Sequence, residues 1–190
     1  MQDEDPRVQR AAREALERVG PAAVPSLVET LRTGDAAGRA SAAAALGYLA
    51  QRGQDISAAV GALTEAAGDA DADVRATSIR ALWSVCADGK ELLPLLPAGM
   101  KDPDAQVRAE AAEAVWRVGL ADESVITALV KVLRDPDAHA RAEAAEALGR
   151  IGPRARAAAP ALKEALNDPD GRVREEAAEA LESVARGGKD

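Results

Sequence analysis

The chain has 190 residues, 47% of them hydrophobic but only 2% aromatic, with no Phe, so its interior has to be built from Ala, Leu and Val. A formal net charge of −8 argues against nucleic acid, whose phosphates are neutralised by Lys and Arg, and against anionic membrane surfaces. One Cys excludes an intrachain disulfide, no apolar run approaches the ~18 residues of a membrane span, and no charged-then-apolar leader opens the sequence, so a cytoplasmic protein is expected.

One stretch recurs along the chain. Residues 3–20 read DEDPRVQRAAREALERVG, residues 33–50 TGDAAGRASAAAALGYLA and residues 69–86 DADADVRATSIRALWSVC. Residues 102–119 read DPDAQVRAEAAEAVWRVG, residues 135–152 DPDAHARAEAAEALGRIG and residues 168–185 DPDGRVREEAAEALESVA. Alignment puts Gln9, Arg39, Arg75, Arg108, Arg141 and Arg174 in one column, with steps of 30, 36, 33, 33 and 33 residues. A fixed period in this range is the mark of a solenoid.

Each copy predicts an Ala-rich helix. In the last one, Asp168 suits an N-cap and Pro169 the first helical position. Val173, Ala177, Ala180, Leu181 and Val184 then follow at a spacing of about 3.6 residues. Gly20, Gly119 and Gly152 end their copies, as C-terminal glycines do. Between these helices lie shorter Leu-rich ones, such as residues 22–31, 124–133 and 157–166. Pro25, Pro94 and Pro160 share a column and are expected within the first turn. Residues 90–100 also contain Pro97 and Gly99, which predicts a short, bent or partly unwound helix. Residues 51–55 lengthen one repeat and predict a protruding loop. The first helix, with Arg7, Arg10, Arg13, Glu14, Glu17 and Arg18, has the polar surface of a terminal cap. The expectation is an all-α solenoid of about eleven helices in one domain, residues 3–186, with a flexible tail at 187–190.

The pattern Asp-Pro-Asp-x-x-Val-Arg-x-x-Ala-Ala-x-Ala-Leu-Gly-x-Ile-Gly, followed by a short Ala-Val-Pro-x-Leu helix, resembles the HEAT-like repeats named after the phycobilisome bilin lyases. The resemblance implies a right-handed α-solenoid with the Ala-rich helices on the concave side. It also implies a structural ladder between repeats, made by an Asp and an Arg six residues later. Asp69 with Arg75, Asp102 with Arg108, Asp135 with Arg141 and Asp168 with Arg174 match it. The first repeat has Asp3 with Gln9 and the second Thr33 with Arg39, so the ladder is expected to break at the N-terminal end. A forked guanidinium on a carboxylate suits such a register device.

No constellation for catalysis, a cofactor or a metal emerges. His139 is the only histidine. The HEAT-like deoxyhypusine hydroxylases carry several His-Glu pairs for iron, whereas Ala140 follows His139 here. HEAT-like DNA glycosylases would need a basic channel. Cys86 falls in the column of Gly119 and Gly152 and reads as a small buried residue.

The positions that vary between copies are the candidates for recognition. Glu110/Glu113, Glu143/Glu146 and Glu176/Glu179 are i,i+3 pairs at one repeat position. At about 100° per residue, with Val173 as zero, their columns lie near 300° and 240°, off the apolar arc. They predict an acidic ridge on the C-terminal half, either a solvated face or a strip for a basic protein segment. Trp83 and Trp116 share a column with Glu17, Gly47, Gly149 and Glu182, and Tyr48 falls one position along. Trp and Tyr are enriched at interaction hot spots, and they also fill gaps between helices. The expected function is a non-catalytic, monomeric scaffold that binds a protein or peptide, basic where it meets the acids, through Trp83, Trp116, Tyr48, Glu110, Glu113, Glu143 and Glu146. The alternatives are a bilin-lyase-like protein handling a chromophore, and a structural or designed scaffold without an evolved ligand.

Overall fold

A computed structural model describes residues 14–85, 92, 94–117 and 122–186. Two compact units divide the chain, residues 1–85 and 86–190.

In the first unit, residues 14–19 are helical and run into a 3₁₀ turn, Gly20–Ala23. Then follow α1 (Val24–Thr33), α2 (Ala36–Gln51), a 3₁₀ turn (Ser57–Ala59), α3 (Val60–Ala66) and α4 (Ala72–Val85). The Ala-rich α2 and α4 pack side by side, and the Leu-rich α1 and α3 pack against them. The second unit contains α5 (Leu96–Gly99), α6 (Ala105–Arg117), α7 (Glu123–Val132), α8 (Ala138–Ile151), a 3₁₀ turn (Gly152–Ala158), α9 (Ala159–Ala165) and α10 (Gly171–Ala185). Here α6, α8 and α10 form the Ala-rich layer in sequence order, and α5, α7 and α9 form the other. No strand occurs among the described residues. The fold is an all-α repeat solenoid.

The Leu residues that point between the layers are fully buried: Leu46, Leu63 and Leu82 in the first unit, Leu129, Leu148 and Leu162 in the second. Each contributes about 1.5–3 kcal/mol by leaving water. Within the Ala-rich layer, small side chains let backbones meet. A Cβ added to Gly149 would lie 3.0 Å from the Ala180 Cα, and one added to Gly47 would lie 3.2 Å from the Ala81 Cα. Ser78 stands where later copies have Ala111, Ala144 and Ala177. It is fully buried, and its hydroxyl has no hydrogen-bond partner among the described residues.

The described residues hold nine α-helices of seven residues or more, plus the single turn α5, instead of about eleven. Most of the first Ala-rich helix lies outside the described residues, as do Cys86, Gly119 and the tail. The odd Leu-rich copy has shrunk to Leu96–Gly99 with Pro97, not Pro94, in its first turn. Pro25 and Pro160 do lie in the first turns of α1 and α9. After α2, Gly53 takes φ +72° and the exposed turn leads to the buried Ile56. Gly20 and Gly152 also have positive φ, where a side chain would be strained.

The N-caps differ from expectation. The second Asp of each Asp-x-Asp caps the helix, not the first. Asp170 accepts from the backbone N–H groups of Arg172 and Val173 at 2.9 and 3.2 Å. Asp137 accepts from Ala140 N at 3.0 Å, and Asp104 from Gln106 N at 2.9 Å. Pro169 therefore precedes α10 and holds an extended entry to it. The first Asp is left free for another task.

Candidate functional site

That task is the contact with the preceding repeat. Arg141 Nε and Nη2 donate to the two carboxylate oxygens of Asp168, both at 2.8 Å. Arg39 grips Asp69 in the same way, both at 2.8 Å, and Arg108 grips Asp135, with Nη2 at 2.6 Å. Each of these three rungs thus runs from an Arg to the Asp of the following repeat. The third nitrogen, Nη1, turns inward to carbonyls of the Arg's own entry turn. Arg75 reaches Asp69 O, Arg108 reaches Asp102 O, Arg141 reaches Asp135 O and Arg174 reaches Asp168 O, at 2.8–2.9 Å. The gripped Asp also accepts the N–H two residues on, as Asp168 does from Asp170 at 2.9 Å. The Arg39 rung is present although Thr33 replaces Asp six residues before it; Asp3 and Gln9 lie outside the described residues. The Arg141 hydrogen bond holds the Asp168 carboxyl below its ordinary range, and Arg39 does so for Asp69. Burial pushes Asp135 up, but Arg108 and the backbone N–H of Asp137 leave it net below that range.

On the Ala-rich layer of the second unit the acids divide into two sets. Glu110 and Glu143 are only 4% and 6% exposed, so they do not belong to a solvated ridge. The angular reading failed because it allowed the helix one apolar neighbour. An Ala-rich helix here also has a flanking helix of its own layer, which covers the column near 300°. Glu110 accepts from Gln106 Nε2 at 2.8 Å. Glu143 accepts from Arg172 of α10 at 2.6 Å, and His139 Nδ1 lies 3.5 Å away. Glu113 and Glu146 remain partly exposed, beside Arg117 at 2.7 Å and Arg150 at 3.6 Å.

Arg172 is the hub of this region. Its Nη2 is 4.0 Å from Glu146, and its Nε is 3.9 Å from Glu176. Burial works against its charge, yet the hydrogen bond to Glu143 and the fields of Glu143, Glu176 and Glu146 keep its pKa above the ordinary value. Glu176 moves the other way. Burial and the neighbouring Glu146 charge raise its carboxyl pKa. Between α8 and α10 an open cleft of about 330 Å³ is lined by Glu146, Glu176 and Glu179 together with Arg150, Ser183, and Gly149 where it meets Ala180. Glu146 is a residue the sequence pattern singles out; the cleft's own mark in the sequence is the missing side chain at Gly149, beside acids in neighbouring copies.

The aromatics sit differently from a bare hot spot. Trp116 is half-buried, with the Arg117 guanidinium 4.5 Å and the Arg150 guanidinium 5.0 Å from its ring centroid. Its Nε1 is buried with no hydrogen-bond partner among the described residues. It fills the α6/α8 gap under two cations, an arrangement favoured by the ring quadrupole. Trp83, in the first unit, is half-buried. Tyr48 is half-buried too, and its hydroxyl donates to Glu17 at 2.5 Å, where Arg52 also pairs at 3.0 Å. The large hydrophobic residues found exposed are Val19 and Leu166, so the aromatics lie in no broad apolar patch among the described residues. No group of three or more His, Cys, Asp or Glu side chains suited to a metal ion occurs among the described residues. None of the helices described is long and apolar enough to cross a membrane.

Helical hairpins joined within each unit by Arg-to-Asp rungs agree with the comparison by sequence, in which a family model described as HEAT repeats matches residues 24–116 and 90–182. The chain belongs to the HEAT-repeat family. This HEAT-repeat chain is similar to several solved structures. An engineered protein from a structural genomics consortium is 26% identical, with 98% of this chain and 94% of that chain covered and a TM-score of 0.68. A chain from the complex of CpcE and CpcF of phycocyanin lyase from Nostoc sp. PCC7120 is 28% identical, with 84% and 64% covered and a TM-score of 0.70. A designed armadillo repeat protein in complex with the peptide (KR)4 is 18% identical, with 96% and 95% covered and a TM-score of 0.68, a likeness of fold alone. No curated protein matches the sequence.

Proposed function

We propose that this HEAT-repeat chain is a protein-interaction scaffold whose second unit receives a basic peptide segment in the α8/α10 cleft. The supporting observation is the cleft itself, which Glu146, Glu176 and Glu179 line together with Gly149. The raised carboxyl of Glu176 fits this reading, because burial and Glu146 disfavour its charge more than Arg172, 3.9 Å away, favours it, and a further cation would relieve that. A Lys or Arg side chain entering the cleft supplies that cation, and the net charge of −8 steers it there. Trp116 lies under Arg150, which lines the cleft, and Glu113 extends the acids toward α6. Glu110 and Glu143 act beneath the surface by fixing their neighbours. A designed armadillo protein was solved with (KR)4, but at that identity the recognition here rests on this chain's own acids. An Arg/Lys-rich octapeptide should bind at low salt and change the emission of Trp116 in a Trp83→Phe background. Glu146→Gln with Glu179→Gln should weaken it about tenfold. Equal affinity for an acidic control peptide, or no loss in the double variant, would remove the proposal.

The likeness to a phycocyanin lyase chain favours a second reading, a chromophore-handling protein. Its test is an absorbance change on mixing the chain with a bilin; an unchanged spectrum rejects it.

A further inference from the structure

His139, the only histidine of the chain, stands on α8 outside the lining of the α8/α10 cleft and is exposed to solvent. Arg172 of α10 places Nη1 3.1 Å from the His139 Nδ1 and donates through Nη2 to Glu143 at 2.6 Å. A guanidinium can only donate, so the short contact to Nδ1 requires a lone pair there. In this arrangement the ring is neutral and carries its proton on Nε2.

A ring that takes up a second proton loses that lone pair, and the contact turns into repulsion between two cations. The new donor has a partner close by. Glu143, four residues on along the same helix, is buried and has its Oε1 3.5 Å from Nδ1. The preceding repeat shows where a donor at this position goes. Gln106 stands in the column of His139 and donates to Glu110, in the column of Glu143, at 2.8 Å. The same step on α8 brings a protonated His139 onto Glu143 and loosens Arg172.

Arg172 then has other carboxylates within reach. Its Nη2 is 4.0 Å from Glu146 and its Nε 3.9 Å from Glu176, two of the acids that line the cleft. These are ion-pair distances without hydrogen bonds, and a guanidinium freed from Glu143 can close them. The remaining charged groups near the ring are engaged elsewhere. On α8 itself Asp135 is gripped by Arg108, and Asp137 caps the helix through the Ala140 N–H. On the α6 side the acid in the corresponding column is Glu110, which Gln106 holds. Neither α7 nor the 3₁₀ turn Gly152–Ala158 brings a charged group into contact with the ring among the described residues.

We infer that His139 is a proton-operated latch on the α8/α10 cleft. The neutral ring holds Arg172 over Glu143 and leaves Glu146, Glu176 and Glu179 to a cationic side chain of the partner. The protonated ring takes Glu143 and releases Arg172 onto Glu146 and Glu176, where this internal cation competes with the incoming one. A basic segment is therefore bound most tightly near neutral pH and let go on acidification. The charge gained by the ring acts in the same direction, since it repels a cation in the cleft. This regulation rests on the cleft being the peptide site proposed above, and it adds a controlling residue that does not line the cleft.

The latch is tested first in the full chain without a peptide. Long-range proton–nitrogen spectra of the single histidine ring should show the neutral form protonated on Nε2. A neutral ring protonated on Nδ1 overturns the inference. Calorimetric affinity for the Arg/Lys-rich octapeptide should then fall about fivefold from about pH 7.5 to about pH 5.5, the range in which histidine changes charge. Glu176 also takes up protons as pH falls, so the decisive comparison is with His139→Ala. That variant should keep the wild-type affinity at the higher pH and lose most of the fall. Arg172→Gln retains the histidine but removes the cation it would release, and should be equally flat. Circular dichroism checks that both variants are helical, and His139→Ala decides alone if Arg172→Gln is not. A full fivefold fall in either helical variant overturns the latch. Equal wild-type affinity at both pH values removes the latch and leaves the peptide site standing. No binding at either pH removes the peptide site, and the latch with it.

Discussion

The second unit contains two contacts between Ala-rich helices that share a rung and a seam of small residues. In both, an Arg clasps the Asp of the next repeat, and Ala residues line the seam: Ala109 and Ala112 at α6/α8, Ala142 and Ala145 at α8/α10. At one column they diverge. Gly149 admits Ala180 so closely that a Cβ would stand 3.0 Å from its Cα, whereas at the same register α6 and α8 accommodate an indole roofed by Arg117 and Arg150. The repeat thus fixes register through the rung and leaves spacing to a single side chain. Where spacing collapses, a cleft opens above the glycine and the acids around it become the surface. At α6/α8 the Trp116 ring, under Arg150, occupies that column instead.

The comparison can be broken at the device both contacts share. Arg141→Ala leaves Asp168 partly buried without its cation. It should cost about 3 kcal/mol in urea denaturation, because removing one partner of a buried pair strands the other charge. A loss near zero would mean that the rung is ornamental. The next test is the column where they differ. Gly149→Leu should destabilise by about 2 kcal/mol through overpacking against Ala180. Trp116→Ala should cost about the same, for the opposite reason, by leaving a void. If Gly149→Leu is tolerated, spacing is not set at this column. A smaller and opposite effect is expected in the first unit. Ser78→Ala gives that helix the residue of its column mates and removes a buried hydroxyl without a partner. A rise in stability of about 1 kcal/mol should follow, read as a higher melting temperature. A lower melting temperature would show that the hydroxyl is used.

The smallest effect at neutral pH is one of linkage. Asp69, Asp135 and Asp168 have folded pKa values below the ordinary 3.8. Their contribution is fully present above that value and is lost as pH falls through the lower folded values. Glu176 has the reverse sign. Its pKa is raised above 4.5, so its ionised form opposes folding, and stability should rise slightly as it takes up a proton. Melting temperature should therefore pass through a shallow maximum on the acid side before falling below pH 3.8. Glu176→Gln should flatten the rise, and Arg141→Ala should make the fall shallower. A melting temperature that declines steadily from neutral pH would contradict the sign for Glu176.

Much of the fold was legible because the repeat states it six times over. The period, the two helices per repeat, the Arg column and the weak Leu-rich copy at residues 90–100 all follow from spacing and from Pro and Gly. The two aspartates of Asp-Pro-Asp were misassigned because both are good caps in isolation, and only the neighbouring repeat's Arg separates their roles. Glu110 and Glu143 were misplaced for a related reason. A helical wheel knows one apolar direction, but these helices have neighbours on more than one side. Tyr48 and Trp116 looked like free anchors until Glu17, Arg117 and Arg150 were seen to engage them.

The sequence by itself determined the kind of architecture, since a 33-residue period of amphipathic helices can bury its apolar stripes only by stacking copies on one another. Tertiary structure decided which members of one column are interior, cleft or rim. Burial depends on the distance between neighbouring backbones, and at α8/α10 that distance is set by Gly149 meeting Ala180, residues 31 apart that no local pattern connects.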